Sequence, residues 1–281
     1  MKSYFMGGGE LTGWSARLEQ DKNYVTSIKK INNLPIEPVR GIDVWTEIWF
    51  SNDVLNVNHA FIDINLMEGE IGPKTNGMGS VVFLGTTDSR LFQEGIGRLV
   101  PILAGLKYHG LLSLHTTINK TAMCCHEIVA RPNFNTIHAL LELVDGRTTN
   151  ILQTLKDGKI KTLKTKGELA VEVKMSIPPF PYNSEGVMSN IVGVNKKNAK
   201  HIWLTNVYKE GAKYVYRGKN GMVGAVSARG DNVDGWPPIR DAKRRVLRTI
   251  RNLKVNELMY RRDIGDRYVA DIAKLKEWEW V

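Results

Sequence analysis

Residues 72–79 read Gly72-Pro73-Lys74-Thr75-Asn76-Gly77-Met78-Gly79, after Glu68-Gly69-Glu70-Ile71. The glycines and the single proline predict a loop, because glycine reaches positive φ without strain and proline holds one turn rigid. Such a loop can bring backbone N–H groups close to an anion. The same composition also suits a plain tight turn, so its meaning depends on what flanks it.

Upstream, residues 34–50 (LPIEPVRGIDVWTEIWF) read as two strands around Arg40-Gly41. In the second, Val44, Thr46 and Ile48 alternate with Asp43, Trp45, Glu47 and Trp49. Another strand is expected over 57–66, and residues 24–31 have helical spacing. Downstream, 89–106 has helical periodicity, with Leu91, Ile96, Leu99, Val100 and Leu103 facing a core. A strand pair at 110–118 and 122–130, joined near Asn119-Lys120, precedes a helix at 135–144. Residues 171–182 (VEVKMSIPPFPY) predict a strand running into a Pro-rich connection. A domain boundary just before it divides the chain into 1–168 and 169–281. Beyond it come short strands at 201–207, 212–216 and 222–227. A helix at 239–253 follows, its apolar stripe Ala242, Val246, Ile250 and Leu253 set apart from most of its arginines. A last helix spans 267–278. Strands and helices mixed in this way indicate α+β.

The chain has 281 residues and 42% hydrophobic residues, enough for about two domains with sizeable cores. No apolar run reaches the roughly 18–20 residues of a membrane span. The start, Met1-Lys2-Ser3-Tyr4-Phe5-Met6, has no secretory pattern, so a cytoplasmic protein is expected. Cys124 and Cys125 are adjacent; neighbours in a strand point to opposite faces, so they read as unpaired strand thiols. His115, His126 and His138 share no metal-ligand spacing. The formal charge of +10 suits anionic partners. No basic–aromatic interleaving points to nucleic acid.

Further short patterns stand in order around the Gly-rich stretch: Ile36-Glu37-Pro38-Val39-Arg40-Gly41-Ile42-Asp43-Val44-Trp45-Thr46-Glu47, Tyr108-His109-Gly110, His126-Glu127-Ile128-Val129-Ala130-Arg131, Asn220-Gly221-Met222-Val223 and Tyr260-Arg261-Arg262-Asp263-Ile264-Gly265. Together the set resembles the phosphoribosylamine–glycine ligases, ATP-grasp enzymes of purine synthesis, over about residues 30–281. The matching family patterns are GPNTGGMG, E-x-x-x-G-x-E, Y-x-G, E-x-N-x-R, G-G-R-V and Y-R-x-D-I-G. The resemblance implies an ATP-grasp fold, incomplete at its amino-terminal side, followed by a small α+β domain. It implies a ligase that joins glycine to phosphoribosylamine with cleavage of ATP, using Mg2+, with a separately encoded amino-terminal domain as partner.

The resemblance also implies the site. Glu37, Asp43, Glu47, Lys74, Thr75, Gly77, Met78 and Gly79 would contact the nucleotide. Glu127 would hold magnesium, and Arg131 would serve catalysis. The residue types suit these roles. Magnesium takes oxygen ligands, few of them from protein, and a guanidinium fork matches carboxylate or phosphate. Phosphoryl transfer rests mostly on positioning and charge neutralisation. Asp63-Ile64-Asn65 stands where the family has a basic H-K-R, Val129 replaces the asparagine of E-x-N-x-R, and Pro132-Asn133-Phe134-Asn135-Thr136 replaces F-G-D-P-E. The alternative reading is therefore a nucleotide-binding or scaffold protein without catalysis. In the ligase reading, Lys74 would restore one positive charge near phosphate.

Overall fold

The computed structural model describes residues 40–183, 186–211, 213–232 and 236–281. The helix expected at 24–31, the strand expected before Arg40 and the candidate Glu37 lie outside the described residues. The architecture is mixed α and β around an eight-stranded sheet. Its first strands are β1 (Ile42–Ser51), β2 (Asp53–Met67) and β3 (Ile71–Gly85). They are followed by β4 (His109–Ile118), β5 (Met123–Val129) and β6 (Leu169–Ser176). Strands β7 (Val187–Ile191), β8 (Ile202–Leu204), β9 (Val207–Glu210), β10 (Lys213–Gly218) and β11 (Met222–Gly230) complete the set. The large sheet has the order β5-β4-β1-β2-β3-β6-β11-β8, and a smaller one runs β7-β10-β9. β6 follows the expected boundary at 168/169 and pairs antiparallel with β3, so the sheet is continuous across it.

Neighbouring residues of each strand serve opposite faces, as the period of two requires. Val81 and Val171 join Ile239, Val246 and Ile250 of α5 (Pro238–Arg251) and Leu275 of α6 (Tyr268–Glu277). Val82, Ala170 and Trp49 turn the other way, onto Leu140 and Leu143 of α3 (Ile137–Leu143) and Leu155 of α4 (Thr148–Lys156). Ile48 and Phe50 pack under the segment expected as one helix at 89–106. That segment is broken into α1 (Arg90–Glu94), a 3-10 turn (Ile96–Leu99) and α2 (Val100–Gly105). The break is Gly95, at φ −98° and ψ −116°, outside helical geometry. Ser89 starts α1 by accepting a hydrogen bond from the Phe92 N–H at 3.3 Å.

The Gly-rich stretch is not the free loop its composition predicts. A turn at Glu68–Glu70, with Gly69 at φ 67° and Glu70 at φ 61°, sends the chain back along β2 as β3. The pairing runs Met67↔Ile71, Asn65↔Lys74, then Asp63↔Gly79. One residue of β2 therefore faces four of β3, and residues 75–78 bulge out of the ladder. The turn chemistry is spent on that bulge. The Thr75 hydroxyl ties it down, donating to the Ile64 carbonyl at 2.7 Å and accepting from the Gly77 N–H at 3.0 Å. Among the described residues, no helix is long and apolar enough to cross a membrane.

Candidate functional site

β1 and β2 pair only from Trp45↔Ala60 to Ser51↔Asp53. Beyond Trp45 the strands part, and a cavity of about 1180 Å³ opens there, beside the bulge of β3. It is lined by Asp43 and Trp45 of β1, Lys74 and Thr75 of the bulge, and Glu127 and Val129 of β5. Arg131, Asn133, Phe134 and Asn135 add the segment between β5 and α3, and Arg267 and Asp271 come from the chain's last helix and the residue before it. The cavity thus gathers five of the residues singled out from sequence: Asp43, Lys74, Thr75, Glu127 and Arg131.

Four others are placed elsewhere. Glu47 is 1% exposed and does not line the cavity. Its carboxylate accepts from Ser113 at 2.7 Å, from Asn58 at 3.0 Å and from the Thr136 hydroxyl at 2.8 and 2.9 Å. Burial raises its pKa, opposed by those hydrogen bonds. Glu47 therefore anchors Thr136, the residue at which α3 begins, from beneath. Gly77, Met78 and Gly79 are buried in the bulge and the strand after it. A side chain at Gly77 would overlap Asn135, and one at Gly79 would overlap the Glu172 carbonyl, so these glycines permit close packing.

Glu127 and Val129 project from one face of β5, and Arg131 follows at its end. Burial raises the Glu127 pKa, with the Arg131 charge opposing. Among the described residues, no cluster of three or more His, Cys, Asp and Glu side chains is placed to hold a metal ion. Glu70 is drawn to Arg261 at 2.7 Å and Asp63 to Arg267 at 2.9 Å. The other carboxylates of the lining are Asp43, Glu127 and Asp271, which suits magnesium, an ion that needs few protein oxygens when phosphate and water complete its shell.

Several lining residues escaped the sequence reading. Arg267 brings a cation to the wall beside Asp63-Ile64-Asn65, where the strand itself has none. Its signal was its place two residues after the Tyr260–Gly265 pattern. Trp45 and His115 face each other across β1 and β4 and stack at 4.7 Å with 2° between planes. His115 is held down to about 4 by burial and by His126, whose ring lies 4.8 Å away, with Asp43 opposing. The two most distinctive stretches of the sequence also meet. Arg261 donates to Glu70, to both Asp263 oxygens and to the Asn65 carbonyl, while Arg262 pairs with Glu68 at 2.7 Å. Asp263 in turn accepts from the Gly69 N–H at 2.9 Å. The Tyr260–Gly265 segment is thus a clasp on the β2–β3 tip.

No protein-family model matches the sequence, and no curated protein matches it. Solved structures do. A phosphoribosylamine–glycine ligase from Thermotoga maritima matches with a TM-score of 0.64 at 19% identity, over 81% of this chain and 56% of that one. A phosphoribosylglycinamide synthetase from Anaerococcus prevotii matches with a TM-score of 0.50 at 13% identity, over 84% and 60%. The fold is an ATP-grasp fold. The chain spans less than two thirds of the length of either enzyme. Within the ATP-grasp sheet, the cavity lies where β1 and β2 part, and it is lined both by the segment before α3 and by residues of the last helix.

Proposed function

We propose that this chain is the larger part of an ATP-dependent carboxylate–amine ligase that joins glycine to phosphoribosylamine, in the cytoplasm, in purine nucleotide synthesis. The observation that carries the proposal is the convergence of Lys74, Thr75, Glu127, Arg131 and Arg267 on one cavity of about 1180 Å³ in an ATP-grasp fold. That volume suits a nucleotide with a second substrate beside it.

In this reading Lys74, Arg131 and Arg267 neutralise the polyphosphate from three directions. Glu127 would hold magnesium, and the ion would supply charge stabilisation for phosphoryl transfer. Arg131 orients the carboxylate that is activated, and Thr75 and Asn76 of the bulge face the nucleotide. Asp43 contacts the ribose. Glu47, Gly77, Met78 and Gly79 support these residues from behind, and Glu37 is proposed on the resemblance alone. An amino-terminal ligase domain completes the phosphoribosylamine site. Binding without catalysis is the second reading, favoured by one observation: Val129 lines the cavity between Glu127 and Arg131, where a second oxygen ligand would be useful.

Trapping with hydroxylamine separates the two readings without phosphoribosylamine or a partner. With ATP, magnesium and glycine, a ligase forms glycyl phosphate, which hydroxylamine converts to the hydroxamate with release of phosphate. Hydroxamate formed with one ADP each, and reduced at least about 100-fold in Glu127→Ala, is the expected result. ATP binding without hydroxamate would leave the binding-only reading.

A further inference from the structure

We infer that the side-chain amide of Asn133 donates a hydrogen bond to an oxyanion of the bound substrate, a carboxylate or phosphate oxygen. The inference deepens the proposed function and rests on it. Asn133 is 5% exposed and lines the cavity two residues after Arg131. Its Oδ1 accepts from the Asn135 backbone N–H at 3.0 Å. Its own carbonyl accepts from the N–H groups of Thr136 at 3.1 Å and Ile137 at 2.9 Å. These bonds fix the residue and decide which end of the amide is free. That end is Nδ2, which is buried and has no hydrogen-bond partner among the described residues. Buried amide donors in native proteins are nearly always satisfied, so an orphan of this kind needs an acceptor.

The acceptor class follows from the charges around it. Arg131 lines the same cavity. Behind the segment stands Lys174, 1% exposed, whose Nζ donates to Asn135 Oδ1 and lies 4.0 Å from the centre of the Phe134 ring. A buried ammonium against Phe134 and Asn135, and a guanidinium two residues before Asn133 in the same lining, favour an anion over a neutral carbonyl at Asn133. The donor is also rigid: Ser80 donates to the Asn135 carbonyl at 2.7 Å, and Glu47 holds Thr136.

The test reads the amide directly. In the full chain labelled with nitrogen-15, the Asn133 side-chain resonances are assigned by their loss in Asn133→Ala. They are then titrated with sodium phosphate, sodium acetate and, at matched ionic strength, sodium chloride. A saturable shift with phosphate or acetate and none with chloride is expected, and the responding anion names the substrate group. Resonances that respond to neither oxyanion, as an amide satisfied only by water would, overturn the inference. Asn133→Asp, which replaces the donor by an acceptor of the same shape, should weaken the responding anion at least about tenfold. Unchanged affinity in a folded Asn133→Asp protein also overturns it. If the oxyanion shift is seen but Mg·ATP does not bind, the ligase reading fails and this one stands. If Mg·ATP binds and the amide is silent, the reverse holds.

Discussion

Lys174 and Glu47 show how the cavity's wall depends on ionisable groups that never reach it. Lys174 is held down to about 8 by burial, with the Glu172 carboxylate opposing. The unfolded chain keeps this proton up to its ordinary value of 10.5. Between those values unfolding takes up a proton, so stability rises with pH through this window. The Lys174→Met variant removes that rise. The stability difference between the two proteins should shift by about 3 kcal/mol in favour of the native lysine from pH 8 to 10.5, at 1.4 kcal/mol per unit. Denaturant melts at stepped pH measure it; parallel pH profiles would show that Lys174 is not the titrating group. His59 behaves in the same sense at acid pH. It is 1% exposed and held down to about 4 by burial alone. The unfolded chain binds its proton below 6.5, so the folded state loses stability as pH falls from there toward 4. His59→Gln should flatten that limb of a Tm-against-pH curve, and an unchanged limb would exclude this origin. Glu47→Ala leaves the Ser113, Asn58 and Thr136 donors without their acceptor and should cost about 3 kcal/mol, against about 1 for Glu47→Gln. Chemical denaturation of the two variants decides between this anchoring role and a surface acid, whose loss would be nearly silent.

Among the elements, β3 carries the clearest lesson about what a sequence discloses. Residues 72–79 announce unusual backbone through their glycines and proline, and the unusual backbone is there, as a four-against-one bulge. The flanks pair with β2 as a local hairpin, while the brace on its tip by Arg261, Arg262 and Asp263 comes from far along the chain, which no local pattern of residues 68–79 contains. The clasp makes its own prediction. Arg261 is 2% exposed and serves Glu70, Asp263 and the Asn65 carbonyl. Arg261→Met should destabilise the protein by about 2 kcal/mol, since its partners are partly exposed. It should also speed hydrogen exchange at residues 65–74 more than in α5. Uniform exchange in both places would mean that the clasp does not hold the hairpin tip. The helix expected at 89–106 was misread for a related reason: its apolar periodicity is genuine, but Gly95 breaks it where the chain must follow the sheet.

At the scale of the molecule, most strands and both late helices could be read from alternation and periodicity, because one sheet with two covered faces imposes those periods on the sequence. The candidate site residues came from the resemblance instead, and half of them, Asp43, Lys74, Thr75, Glu127 and Arg131, are brought by the fold to one cavity. The resemblance places Glu47 in that set and it shares a strand face with Asp43, but its carboxylate is buried under the start of α3 at Thr136. The pairing of Arg267 with Asp63 and the Trp45–His115 stack become visible with tertiary structure, since each joins residues distant in sequence, and the orphaned amide of Asn133 shows only once its burial is known. In the proposed nucleotide site, polyphosphate charge is balanced by Lys74, Arg131 and Arg267 of the cavity lining and by the magnesium that Glu127 would hold. Calorimetric titration of the full chain with ATP, with and without magnesium, tests this central claim most directly. The account predicts magnesium-dependent binding, weakened at least about tenfold in both Glu127→Ala and Arg131→Ala. Absence of binding at millimolar ATP, or binding indifferent to magnesium and to both substitutions, would contradict it.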